Sequence, residues 1–127
     1  PFSFYRKNQS KQRNFETIWF GLNLERPELN ERINKRVDLM IENGLVQEVA
    51  NLFNEKDLKA LNTVGYQEIF DFMDEKTDLK TAIELIKRNS RHYAKKQMVW
   101  FKKNPEIQWF KPTETNAMIS AINQKFL

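Results

Sequence analysis

The spacing of apolar side chains changes twice along this chain, and each change marks an element. In FETIWFGLNL, residues 15–24, the apolar positions alternate, with Ile18, Phe20, Leu22 and Leu24 on one face and Trp19 on the other. β-Branched and aromatic residues at a period of two predict a strand, and one that is apolar on both faces belongs in a parallel sheet covered on both sides. No second strong strand precedes it, so the expectation is a strand orphaned from its sheet. From Pro27 the period becomes helical. Proline is tolerated in a first turn, Leu29, Ile33, Val37, Met40 and Ile41 follow at helical spacing, and Gly44 supplies a left-handed stop. Leu45, Val49, Leu52 and Phe53 predict a second helix, and Tyr66, Ile69, Phe70 and Met73 a third that opens near Gly65. Asp78 is placed to cap a long helix with the stripe Leu79, Ala82, Ile83, Ile86, Tyr93, Gln97, Trp100 and Phe101, ended by Asn104 and Pro105. On that stripe Tyr93 and Trp100 are expected to pack in the core. EIQWF, residues 106–110, predicts a short strand. A last amphipathic helix carries Met118, Ile119, Ile122 and Phe126, capped from Thr113 or Thr115. The fold class is therefore mainly α with one or two short β-strands.

With 127 residues, 40% of them hydrophobic, the chain supports one domain with a core, placed at 15–127. The opening PFSFYRKNQSKQRN, residues 1–14, is polar, basic and aperiodic and reads as a linker. A start at Pro1 rather than methionine adds the expectation of a piece of a longer protein. The sequence has no apolar run near 18 residues and no leader-like start, which predicts a cytoplasmic protein with no membrane partner. The absence of cysteine removes disulfides, thiolate zinc sites and cysteine nucleophiles together.

Charge changes the picture more than composition does. Residues 79–103 hold eight Lys or Arg against one acid, Glu84, a net +7, so the rest of the chain is net −3 within a total of +4. On a helix Arg88, Arg91, Lys95 and Lys102 fall within about 60° of one another, opposite the apolar stripe. Such a basic ridge is the footprint of a phosphate-backbone contact, and equally of a solvated lysine-rich face. Arg32 and Arg36 stack one helical turn apart. Two guanidiniums so placed repel unless an anion or a carboxylate lies between them. Their forked donors match a diphosphate, and salt bridges to Glu28, Glu31 or Asp38 are the alternative. In NTVGYQE, residues 62–68, free N–H groups at a helix start beside Asn62 and Thr63 can hold a phosphate or a base edge, or simply form a cap. His92 has no Asp, Glu or Cys partner at ligand spacing, so no metal role is expected. There is no GxxxxGK[ST] loop, no GxGxxG, no Ser-His-Asp set and no acid pair, hence no catalytic centre within the chain.

LNERINKRVDLMIENGLVQEV, residues 29–49, followed by ALNTVGYQEIFDFMDEKTDLKTAIELIKRNSRHYAKKQMVWFKKNPEIQWF, residues 60–110, resembles the C-terminal part of the bacterial tRNA dimethylallyltransferase family, also called tRNA isopentenyltransferases. The likeness extends over about residues 15–110. It implies a P-loop-kinase-like α/β transferase of which this chain lacks the N-terminal phosphate-loop half. It further implies transfer of the dimethylallyl group of dimethylallyl diphosphate, with magnesium, to the exocyclic amine of the adenosine just 3′ of the anticodon. By resemblance Arg36 contacts the donor diphosphate, with Arg32 as a helper. The same resemblance implies that the loop Asn62, Thr63, Val64, Gly65, Tyr66 and Gln67, and on the basic helix Arg91, Lys95, Lys96, Gln97, Trp100 and Lys102, contact tRNA through its anticodon stem-loop. The family's phosphate loop and catalytic aspartate have no counterpart here, so the chain alone is expected to be inactive and to supply no magnesium ligand. Lys96 stands where the family usually has arginine, keeping charge but losing the forked geometry. Plant-type relatives that prenylate free adenine nucleotides share part of the pattern, which leaves the acceptor open. An orphaned strand edge leads to one more expectation, a homodimer or strand swap of this chain through residues 15–24. The alternatives are a stand-alone, non-catalytic helical RNA-binding module and a structural helical protein with a merely solubilising ridge. A phosphate loop encoded ahead of Pro1 separates the first reading from these.

Overall fold

The computed structural model describes residues 14–127. The segment read as a linker, 1–14, therefore lies outside the described residues but for Asn14. Strand β1, Trp19–Leu22, leads into helix α1, Arg26–Glu42. Pro27 sits in its first turn, and Gly44, at φ 96°, turns the chain directly into α2, Leu45–Asn51. Two 3-10 turns, Phe53–Glu55 and Lys59–Leu61, carry the chain to α3, Tyr66–Met73. Helix α4, Leu79–Phe101, comes next, then β2, Ile107–Phe110, and α5, Thr115–Phe126. No helix among the described residues is long and apolar enough to cross a membrane.

Four helices share the core. Val37 of α1, Leu45 and Val49 of α2, Ile69 and Phe70 of α3, and Ala82 and Ile86 of α4 are buried together. Helices α1 and α4 run antiparallel, since Lys87 Nζ reaches Asp38 at 2.7 Å and Arg91 Nη1 reaches Asn34 at 2.5 Å. The end of α4 thus returns to the start of α1, where both helices join the strands.

Three expectations change. The strand is four residues long, not ten, and it is not orphaned: it pairs in parallel with β2, Trp19 opposite Ile107 through Leu22 opposite Phe110. Gly21 permits the pairing, because a Cβ there would lie 2.6 Å from the ring of Trp109. Trp19 and Leu22, on opposite faces of the strand, are both exposed, so neither face is fully covered among the described residues. On α4 the stripe is buried only at Ala82 and Ile86; Tyr93 is 59% and Trp100 66% exposed, and Gln97 is exposed as well. The reason is length. Helix α3, at eight residues, is about 12 Å long and α4, at 23, about 35 Å, so the later turns of α4 run past the end of α3. Finally, α5 is capped by Glu114 rather than by Thr113 or Thr115; its carboxylate accepts the Lys111 N–H at 2.5 Å and closes the preceding turn.

Helix α4 begins as expected. Asp78 accepts the Thr81 N–H at 2.6 Å, and this bond holds its carboxyl below the ordinary 3.8. In the turn before it, Asp74 bonds Lys56 at 2.5 Å and Lys76 at 3.2 Å, and the Lys56 contact above all holds its carboxyl below 3.8 too. Depressed carboxyls add stability above their unfolded values, and that stability is lost as pH falls through the folded values. Urea unfolding followed by circular dichroism is therefore expected to give a constant midpoint above about pH 5 and a falling one below about pH 4. Asp78→Ala should remove part of that acid dependence.

Candidate functional site

The antiparallel pair α1 and α4 separates two grooves. The first, about 420 Å³, brings Arg36 from α1 and Val64 from the loop beside Tyr93 and Gln97 of α4. Here the two arginines part company. Arg32 Nη2 lies 3.0 Å from Glu28, both half exposed, the surface salt bridge that its spacing allowed. Asp38 is taken by Lys87, whose ammonium is raised in pKa chiefly by that bond, with Glu84 adding to it and burial opposing it. Arg36 has no ion pair among the described residues and faces the groove with its charge uncompensated.

The loop at 62–67 is held from below. The Gly65 N–H donates to Glu68 Oε2 at 2.7 Å, while Glu68 Oε1 accepts from Asn89 Nδ2 of α4 at 2.6 Å. Glu68 is the one buried charged side chain among the described residues. Gly65 has φ 105°, and nothing crowds its missing Cβ, so the glycine serves the turn rather than a close approach. The Gln67 N–H bonds Thr63 O at 3.1 Å. Two N–H groups at this helix start, those of Gly65 and Gln67, are thus spent inside the loop. Asn62, Thr63, Val64 and Gln67 are exposed. Gly65 is buried, and Tyr66 packs edge-on to Phe70 with its hydroxyl on Glu48, which raises the tyrosine pKa. These two shape the loop and do not present it. Glu68→Ala would leave the Gly65 N–H and the Asn89 amide without their acceptor, at an expected cost of about 2–3 kcal/mol in denaturant unfolding.

The second groove, about 390 Å³, lies where the end of α4 meets the start of α1. Arg88, Arg91, Lys95 and Lys102 line it from α4, as the ridge predicted, and Arg26 faces them from α1. Around the helix from it Lys96 and Lys103 flank Trp100, which meets Phe101 edge-on at 4.8 Å. Sequence reasoning missed Arg26, Asn34, Glu68 and Asn89. Glu68 had a signal, a glutamate three residues after the helix-opening glycine, the spacing of a capping box. The others had none, because their partners are distant in sequence. Among the described residues no group of three His, Asp or Glu side chains could hold a metal ion. The described residues do not fit a resident magnesium.

The chain is a helical unit with uncompensated cations on both sides of one helix pair, built on two parallel strands, an arrangement suited to binding anions. The model of the IPP transferase family matches residues 1–104, and the chain belongs to that family. It is 52% identical over 119 residues to a tRNA dimethylallyltransferase of Christiangramia forsetii, covering 94% of this chain and 39% of that protein. With tRNA dimethylallyltransferase 2 of Parabacteroides distasonis the identity is 47% over 127 residues, covering 100% and 42%. The full-length tRNA isopentenylpyrophosphate transferase of Bacillus halodurans superposes with a TM-score of 0.78 at 33% identity, covering 98% of this chain and 41% of that one. That of Staphylococcus epidermidis gives 0.80 at 30% identity, covering 97% and 43%. The chain thus spans about two fifths of the length of the curated relatives it matches. The family and the mainly helical fold expected from residues 29–49 and 60–110 are borne out.

Proposed function

We propose that this chain is the tRNA- and diphosphate-contacting part of a cytoplasmic enzyme that moves the dimethylallyl group of dimethylallyl diphosphate to the exocyclic amine of the adenosine 3′ of the anticodon. One observation carries the reading: Arg36, left without a carboxylate, shares a groove with Val64 of the loop and Gln97 of the basic helix. In this reading Arg36 holds the diphosphate and stabilises the charge that grows on it as the allylic carbon–oxygen bond breaks. Arg32, tied to Glu28, adds only a nearby positive charge. The exposed Asn62, Thr63, Val64 and Gln67 meet the anticodon stem-loop, as do Arg91, Lys95, Lys96, Gln97, Trp100 and Lys102. The bases that stack on Trp100 would use its open ring face. The chain by itself does not catalyse transfer.

The test is binding of an anticodon stem-loop RNA across a salt series. Affinity should fall by about 0.7 to 0.9 in log K per phosphate for each decade of salt, and Lys95→Glu with Lys102→Glu should flatten that slope. Arg36→Ala should leave it unchanged. Absence of salt-sensitive binding would sink the reading. We also propose that the chain alone pairs with a second copy through β1, since the sheet has only two strands among the described residues. A clean monomer in sedimentation at high concentration would overturn this.

A further inference from the structure

We infer that the cleft between the first turn of α1 and the second half of α4 is a built phosphate site, in which an RNA phosphate is the missing counter-ion of Arg91 and in which Arg26 and Arg88 are further contacts. The inference rests on the RNA-binding reading above and deepens it.

Among the described residues three Lys or Arg side chains are largely withdrawn from solvent: Lys56, Lys87 and Arg91. Withdrawing a cation from water costs free energy that an opposite charge must offset. Lys56 meets that cost with Asp74 and Lys87 with Asp38. Arg91 has no carboxylate; its Nη1 donates to Asn34 Oδ1 at 2.5 Å, a neutral amide from the opposite helix. An asparagine fixes where the guanidinium points without neutralising it. Arg88 is treated alike, its Nε on the Asn89 amide at 3.4 Å. Both arginines open onto the same cleft, together with Arg26, Lys95 and Lys102 and against a single acid, Glu25. Neighbouring like charges raise the cost of leaving Arg91 uncompensated, so an arrangement that serves only stability would have placed a carboxylate at position 34.

The length of the array identifies the anion. From Arg88 to Lys102 the cations extend about 21 Å along α4, far more than one diphosphate occupies and suited to successive phosphates of a strand. Arg91, oriented and half-buried, is its fixed point, with exposed lysines toward the helix end. An arginine fork held in this way grips a phosphate at two oxygens, which a lysine cannot do.

The test uses this chain, an anticodon stem-loop RNA and, as a separate probe, inorganic pyrophosphate. Asn34→Asp retains the hydrogen bond and gives Arg91 an internal counter-ion. It should raise the melting temperature and weaken RNA binding at least tenfold, opposite effects that a purely structural asparagine would not produce. Asn34→Ala alters no charge and should still weaken binding about fivefold through loss of the oriented donor. Arg26→Gln with Arg88→Gln should weaken binding more than Lys96→Gln with Lys103→Gln, which removes equal charge from the neighbouring face. Unchanged RNA affinity in both Asn34 variants, or equal losses in the two double variants, overturns the site while the RNA reading survives through the Lys95 and Lys102 reversals. If those reversals also do nothing, both fall. Pyrophosphate that displaces RNA and binds more tightly than it does would make the counter-ion a free diphosphate and overturn the assignment to RNA.

Discussion

Phe70→Ala is expected to lower the unfolding free energy by about 3–5 kcal/mol, the range for emptying a fully buried aromatic position. Phe70 is 1% exposed, and its ring meets Phe53 at 6.2 Å and Tyr66 at 6.4 Å. It therefore joins α3 to the turn after α2 and supports the tyrosine that shapes the 62–67 loop. A small domain is stable by only about 5–15 kcal/mol, so the variant should stand close to its unfolding threshold at room temperature. Urea denaturation followed by tryptophan fluorescence and circular dichroism measures the loss. A change below about 1 kcal/mol would mean that the core relaxes around the cavity and that Phe70 is not its centre.

Under the proposed reading, Arg36→Ala in the whole transferase is expected to reduce kcat for prenyl transfer by about 10²–10³, the scale for removing a group that stabilises charge developing in the transition state. Arg36→Lys should recover part of this, because a point charge remains where the fork is lost. Arg32→Ala should cost far less, since Glu28 already takes its guanidinium. Single-turnover transfer with saturating RNA isolates the chemical step from RNA binding. Equal losses at the two arginines would refute the assignment, which rests on one being paired and the other not.

Local rules made the helices legible. Pro27 and Gly44 bracket α1, Asp78 caps α4, and the apolar spacing found α2, α3 and α5, because each signal lies within a few residues of the element it marks. The strand pair was only half visible: EIQWF reads as a strand, yet its pairing with Trp19–Leu22 depends on Gly21 yielding to Trp109, a contact between distant parts of the chain. Tyr93 and Trp100 show another limit. Periodicity tells which side of a helix is apolar, but whether that side is covered depends on the length of its neighbour, and α3 ends too soon. At the site, Arg32 has Glu28 four residues before it and pairs with it, whereas Arg36 has no acid three or four residues away and Asp38, two residues on, is bound by Lys87. Asn34 carried no signal whatever, as its meaning lies in a partner from another helix.

The parallel pairing of β1 with β2 also predicts an order of assembly. Every core helix lies in the chain between these two strands, so bringing Trp19 beside Ile107 closes a loop that contains the entire helical body. Closing a loop of that length while it is still disordered forfeits entropy that a few strand hydrogen bonds do not return. Once α1 and α4 have docked antiparallel, the two strand segments emerge side by side and the closure is nearly free. The helical body is thus the template and the sheet its product: the helices are expected to take shape first, and the strands to join last.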